Sequence, residues 1–269
     1  MIDRFIRRSF KAAALSAGLV SKRDRGDVVV LLYHRLGSAR TEIELAPERF
    51  DRHIAALSRS GRARKLDDAL ARPDGGVVVT FDDGTPDFYE HALPILVKHR
   101  VPAVLYLATA EIQASRGSLS WDQIAEAVET GLVAVGSHTH SHADLSRLNA
   151  VEAEEEMRRS KHLIEDRLGI QCKHFAYPWG VGSPAADVLV RRLFVTAALD
   201  GWRTNRRGRI DLHRLGRVPV LRSDGQFFFR AKAAGRLDAE RLIYRALGRG
   251  PWRRSIAAAS DLTLQGEAR

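Results

Sequence analysis

Val77-Val78-Val79-Thr80-Phe81 runs straight into Asp82-Asp83-Gly84. Five β-favouring residues with no polar alternation describe a strand covered on both faces, as in a parallel sheet wrapped by helices. Similar short runs recur over residues 28–33, 103–107, 132–136, 174–176, 194–198 and 218–221. Helical spacing fills the intervals at 47–60, 87–99, 121–129, 151–168 and 185–193. The helix at 151 has a capping-box signature, Asn149 followed three residues later by Glu152. Strands alternating with helices predict an α/β protein, either a barrel or an open doubly wound sheet. Both architectures gather their chemistry beyond the carboxyl ends of the strands.

Working outward from 82–84, each strand end carries reactive residues: Tyr33-His34 after the first, His138-Thr139-His140-Ser141-His142 after the fourth, Tyr177-Pro178-Trp179-Gly180 after the fifth. Adjacent carboxylates at the end of a buried strand are costly unless they are paired or bind a cation. His138 and His142, four residues apart, have the spacing to face one ion, and imidazole nitrogen suits zinc or a neighbouring divalent metal. With one carboxylate from Asp82-Asp83 they form a two-His, one-Asp set that leaves room for water and substrate. His140, between them, reads as supporting or surface-facing. Asp67-Asp68 and Glu154-Glu155-Glu156 read as solvated faces.

At 269 residues and 45% hydrophobic content the chain has the length for one large core, and its single cysteine, Cys172, excludes an intrachain disulfide framework. The net charge of +10 is concentrated at the ends. Residues 1–26 hold seven Lys/Arg against two Asp, residues 230–269 hold nine against four, and the body between is balanced. A neutral body argues against a nucleic-acid partner. In residues 1–26, Ile2, Phe5, Ile6, Phe10 and Ala13 lie near helical spacing with Arg4, Arg7, Arg8 and Lys11 largely opposite. This basic amphipathic helix has two readings, attachment to an anionic membrane surface or packing on the body. Neither a secretory signal nor a run of ~18 apolar residues is recognisable, so a cytoplasmic protein, peripheral at the inner membrane on the first reading, is expected. The chain divides into a basic segment at 1–27, a catalytic domain at 28–229 and a basic extension at 230–269.

Three ordered stretches, Thr80-Phe81-Asp82-Asp83-Gly84, Gly136 through His142 with Asp144-Leu145, and Phe175-Ala176-Tyr177-Pro178-Trp179-Gly180, resemble motifs of the polysaccharide deacetylases (NodB-homology domains, carbohydrate esterase family four). Leu32-Tyr33-His34 and Leu215-Gly216-Arg217-Val218-Pro219-Val220 resemble the opening and closing strands of its exopolysaccharide branch. The resemblance implies an irregular (β/α)7 barrel that hydrolyses N-acetyl groups of amino sugars in a bacterial polysaccharide or its lipid-linked precursor. It implies Asp83, His138 and His142 as ligands of a divalent cation, Zn2+ with Co2+, Mn2+ or Ni2+ as alternatives. Asp82 would be the general base, and Trp179 the backbone donor to the oxyanion. His34, Tyr177, Pro178 and Trp179 would line the substrate site.

Three departures stand out. The arginine that orients the base in peptidoglycan and chitin deacetylases is replaced by Ala176. The late Leu-x-His motif that supplies the leaving-group acid is not cleanly present, His213 and His34 being the candidates. Asp200-Gly201-Trp202 only faintly echoes the fourth motif. A second functional reading follows from these gaps, a catalytically silent glycan-binding scaffold of a polysaccharide synthesis complex.

Overall fold

The structure, a computed structural model, describes residues 26–37, 41–115 and 118–236. The predicted amphipathic helix and most of the basic extension lie outside the described residues. Seven parallel strands, β1 (Val28–Tyr33), β2 (Gly76–Phe81), β3 (Ala103–Leu107), β4 (Val133–Ser137), β5 (His174–Ala176), β6 (Thr196–Asp200) and β7 (Leu215–Pro219), close into a barrel in chain order. β1 meets β7 through Val30–Arg217, Leu31–Val218 and Leu32–Pro219. Closure excludes the open sheet. Around it lie α1 (Pro47–Arg59), α2 (Leu66–Ala71), α3 (Leu93–His99), α4 (Trp121–Glu129), α5 (Ala150–Leu168), α6 (Pro184–Leu193) and α7 (Gln226–Ala233).

The unalternating strands follow from burial on both faces. In β1, Val29, Leu31 and Tyr33 join the outer core with Phe50 and Ile54 of α1, whereas Val28 and Val30 face Val78, Val104 and Tyr106 inside the barrel. The interior is narrow, and small residues make it passable: a Cβ on Gly136 would stand 2.6 Å from the Tyr106 ring. Leu66 and Ala69 of α2 belong to the same inner cluster.

Several expected boundaries move for local reasons. The helix at 87–99 opens as a π-turn over Phe88–Ala92 before α3, because Pro94 lacks the N–H that an unbroken α-helix would use. Phe194 caps α6 and Val195 is exposed, so β6 begins at Thr196 despite the β-favouring run before it. β7 starts three residues earlier than expected, through Gly216 and Arg217, which have poor strand propensity. The last described helix, α7, runs across the 229/230 boundary expected for the domain.

The β1/β7 seam is completed by Asn205. Its backbone exchanges two hydrogen bonds with Val28 (3.0 and 2.9 Å). Its side-chain amide donates to the carbonyls of Val28 (3.2 Å) and Gly216 (2.8 Å), and its carbonyl accepts from the Gly216 N–H (2.7 Å). Asn205 thereby fixes the residue next to Arg217. Asn205→Ala strands the buried Gly216 backbone groups and is expected to cost about 2–4 kcal/mol in urea unfolding with unchanged m-value; a loss below ~1 kcal/mol would show that the seam holds without it.

Candidate functional site

Asp82 and His138 are still held in the barrel ladder, their N–H groups donating to the carbonyls of Tyr33 (3.2 Å) and Leu107 (2.8 Å). Asp82 therefore keeps strand alternation and is buried, 3% exposed, while Asp83 turns out to the mouth at φ 75° and is 30% exposed. Thr139, His142 and Trp179 share that left-handed region, at φ 65°, 58° and 60°. Such backbone is unfavourable for residues with a Cβ and gathers where side chains must be aimed.

The result is a compact donor set. Asp83 Oδ1 lies 3.7 Å from His138 Nε2 and 3.5 Å from His142 Nε2, and the ligating atoms of the three residues all fall within 4.8 Å of one another. Metal bonds of ~2.1 Å at tetrahedral angles place donor atoms about 3.4 Å apart. Both Asp83–His pairs are close to that spacing, and the set is compact enough to gather on a single divalent ion with a small inward shift of its side chains. His138 Nδ1 meets the Ala176 carbonyl at 2.8 Å. Because that oxygen only accepts, Nδ1 carries the proton and Nε2 presents its lone pair to the cluster. Burial pulls the His138 pKa down to about 4 against the opposing pull of Asp82, so the ring is neutral at physiological pH.

Asp82 is placed differently. Its Oδ1 accepts from Arg217 Nη1 at 2.6 Å, and its Oδ2 stands 3.6 Å from His138 Nε2. Burial would push this carboxyl up, but Arg217 above all, by its charge and its hydrogen bond, outweighs this with smaller help from His138 and His34 and holds it at about 2. One oxygen is thus anchored and the other faces the space beside the donor set. Arg217 is 1% exposed, sits over the Tyr106 ring (5.7 Å), and pairs in register with Asp200. Burial works against its charge, but Asp82 overcomes this and raises its pKa. Arg217 was legible only as part of a closing strand. Its signal was an arginine within an otherwise buried strand, which needs an anionic partner from elsewhere in the fold.

His34 follows β1 directly and stands at the same mouth. Burial lowers its pKa, while Asp82 and Asp83 pull the other way and His142 is also felt. His213 is not brought there. It precedes β7, at the opposite end of the barrel, where its Nε2 meets the Phe194 carbonyl (2.9 Å) and its N–H donates to Asp211 (3.0 Å). Tyr177 and Pro178 are buried, Tyr177 donating its hydroxyl to Asp187 (2.7 Å). They brace the turn that presents Trp179, which is 43% exposed with its ring edge-on to His142 at 4.7 Å. His140 faces Thr109 Oγ1 (2.9 Å) as a supporting residue. Glu156, expected on a solvated face, instead accepts hydrogen bonds from the His140-Ser141 loop. Among the described residues no helix is long and apolar enough to cross a membrane.

Residues 70–198 match the family model described as polysaccharide deacetylase. A poly-beta-1,6-N-acetyl-D-glucosamine N-deacetylase of Staphylococcus epidermidis is 30% identical over 121 residues, 40% of this chain and 42% of the relative. YxkH of Bacillus subtilis is 26% identical over 159 residues, 56% of each chain. The chain thus spans about half the length of these curated relatives. Among solved structures, IcaB from Ammonifex degensii is 29% identical with TM-score 0.67, covering 78% of this chain and 97% of that one. A polysaccharide deacetylase from Bacillus cereus has the same fold at 24% identity, TM-score 0.70, covering 77% of this chain and 69% of that one.

Proposed function

Since the chain belongs to the polysaccharide deacetylase family, we propose that it is a metal-dependent hydrolase that removes N-acetyl groups from amino sugars of a bacterial polysaccharide or its lipid-linked precursor. One observation carries the reading: the Asp83, His138 and His142 donors converge, with a separate, ion-paired carboxylate, Asp82, directed at the same space. Asp83, His138 and His142 would hold a divalent cation, Zn2+ by the borderline character of the two imidazole nitrogens, and when bound it would supply Lewis acidity toward water and the amide carbonyl. Asp82, fixed by Arg217 and ionised, takes the proton of the attacking water through its outward oxygen. His34 gives a proton to the departing amine. It is supported by its place at the mouth, directly after β1 and within the electrostatic reach of Asp82 and Asp83. Trp179 offers its exposed ring to a sugar face and its backbone N–H to the carbonyl oxygen as that oxygen gains charge.

The test is acetate release from N-acetylglucosamine oligomers by metal-stripped protein re-supplied with Zn2+, Co2+, Mn2+ or Ni2+. Release is expected only in the metal arms. Tight oligosaccharide binding with no acetate in any arm would overturn the hydrolase and favour the silent scaffold.

For the leaving-group acid, His34→Gln is expected to lower kcat by about 10²-fold and His213→Gln to leave it within twofold, measured with equal metal content. The reverse ranking would move the role to His213.

A lipid-linked substrate accords with the membrane reading of residues 1–26 and with a cytoplasmic enzyme at the inner membrane. The full chain is then expected to co-sediment with anionic vesicles and to be released by salt. Equal partition onto neutral vesicles would refute this.

A further inference from the structure

The loop that carries His142 has little reason of its own to hold its shape. Between His138 and His142 it takes the left-handed conformation at Thr139 and again at His142 itself, and the N–H groups of His140 and Ser141 are turned out of any helix or strand. Both point at one atom. Glu156 Oε2, on α5, accepts from His140 N at 3.0 Å and from Ser141 N at 2.8 Å, and Glu156 Oε1 accepts from Ser141 Oγ at 2.9 Å. Successive backbone donors around a left-handed residue form a concavity suited to an anion, and here the anion is a side chain of the same protein.

One helical turn further along α5, the buried Ser160 Oγ accepts from Ser137 Oγ at 2.9 Å. Ser137 is the residue just before His138. The helix therefore grips the ligand segment at both ends, at Ser137 through Ser160 and at His140-Ser141 through Glu156. Other ties hold the middle and the far side of the same loop: Ala110 N–H to the His140 carbonyl (2.8 Å), Thr109 N–H to the Thr139 carbonyl (3.3 Å), Thr109 Oγ1 against His140 Nδ1 (2.9 Å), Thr139 N–H to Ser137 Oγ (3.3 Å) and Ala143 N–H to Thr139 Oγ1 (3.2 Å). The neighbouring glutamates do something else: Glu154 is engaged by Arg158 and Arg192, and Glu155 is exposed.

We propose that Glu156 is a positioning residue of the metal centre, whose carboxylate holds the His140-Ser141 turn and so places His142 Nε2 opposite Asp83 before the cation arrives. This rests on the metal-centre reading above. Without the carboxylate the loop samples other backbone conformations, His142 leaves the donor set for part of the time, and cation affinity falls while the barrel stays folded.

The experiment is titration of metal-stripped full-length protein with Zn2+ by chelator competition and with Co2+ by its visible absorption, alongside thermal unfolding of the metal-free protein. Glu156→Ala is expected to raise the dissociation constant about 10- to 100-fold and to alter the Co2+ band, with metal-free melting little changed. Glu156→Gln, whose carbonyl oxygen still accepts from both N–H groups, is expected to restore affinity to within about threefold. Glu155→Ala should match the parent. Ser141→Ala, which removes only the hydroxyl's bond, should weaken binding two- to fivefold, and it decides the matter alone if Glu156→Ala fails to fold. Wild-type affinity and spectrum in Glu156→Ala, or in Ser141→Ala where that variant decides, would overturn the role of Glu156 and leave the metal centre standing. A parent protein that takes up no cation would overturn the metal centre and this inference with it.

Discussion

Asp82→Asn is expected to reduce acetate release by about 10³-fold or more in kcat while leaving divalent metal uptake at the parent level. The amide has the size of the carboxylate, and its oxygen still accepts from Arg217, so the buried pocket remains filled. What disappears is the lone pair that is basic enough to take a proton from water. Asp82 is separated from the donor set by role as well as by position, since its Oδ1 is already committed to Arg217 at 2.6 Å. Metal content by elemental analysis and turnover on the same sample are the two readouts. Full turnover would remove Asp82 as the base; lost metal together with lost turnover would instead make it a ligand.

The second large effect is expected at Arg217. Arg217→Met keeps most of the side-chain volume but leaves Asp82 as a buried carboxylate without its partner, a change that typically costs about 3–5 kcal/mol. The pH dependence gives the sign. In the parent, Asp82 is held at about 2, below the ordinary value near ~3.9 that it has when unfolded. The pair therefore contributes stability that is fully present above about pH 4 and is lost as pH falls toward 2. In the variant, burial acts with less opposition and the carboxyl rises. Folding is then penalised at neutral pH and less so in acid, where both states are protonated. Urea unfolding of the metal-free proteins should show a deficit that is large at pH 7 and shrinks toward pH 4. A deficit independent of pH would mean that packing, and not charge, was lost. Turnover should fall about 10²-fold with metal uptake retained, and Arg217→Lys should recover part of it by restoring the charge without the second donor geometry.

The arginine also shows how sequence and structure divide the account. Ala176, standing where related enzymes carry an orienting arginine, reads along the chain as a missing part. In the barrel the guanidinium arrives from β7, reaching Asp82 across 135 positions of sequence. Nothing local to the third motif could have revealed this, because the partnership depends on which strands close the barrel and which side chains alternation turns inward. His34 and His213 were equal candidates for the acid as residues. Barrel polarity separates them, since one follows its strand and the other precedes it. Tyr177 and Trp179 are likewise neighbours in one motif, yet strand geometry buries the first and a left-handed backbone turns the second outward. Glu156 was indistinguishable from its acidic neighbours until the loop it holds lay over its helix.

The division of roles between the two aspartates came from the family resemblance. The α/β class, the titratable residues at the strand ends and the candidacy of the Asp82-Asp83 pair with His138 and His142 were legible in the sequence alone. Each of these rests on local physics, namely residue period, turn chemistry and the cost of unpaired polar groups at the end of a buried strand. Closure of the sheet, the ion pair that makes Asp82 a fixed anion, the placement of His34 and His213 at opposite ends of the barrel and the hydrogen bonds under the His142 loop were decided only by tertiary structure. These depend on contacts between segments remote in the chain, and such contacts exist only once the seven strands have met.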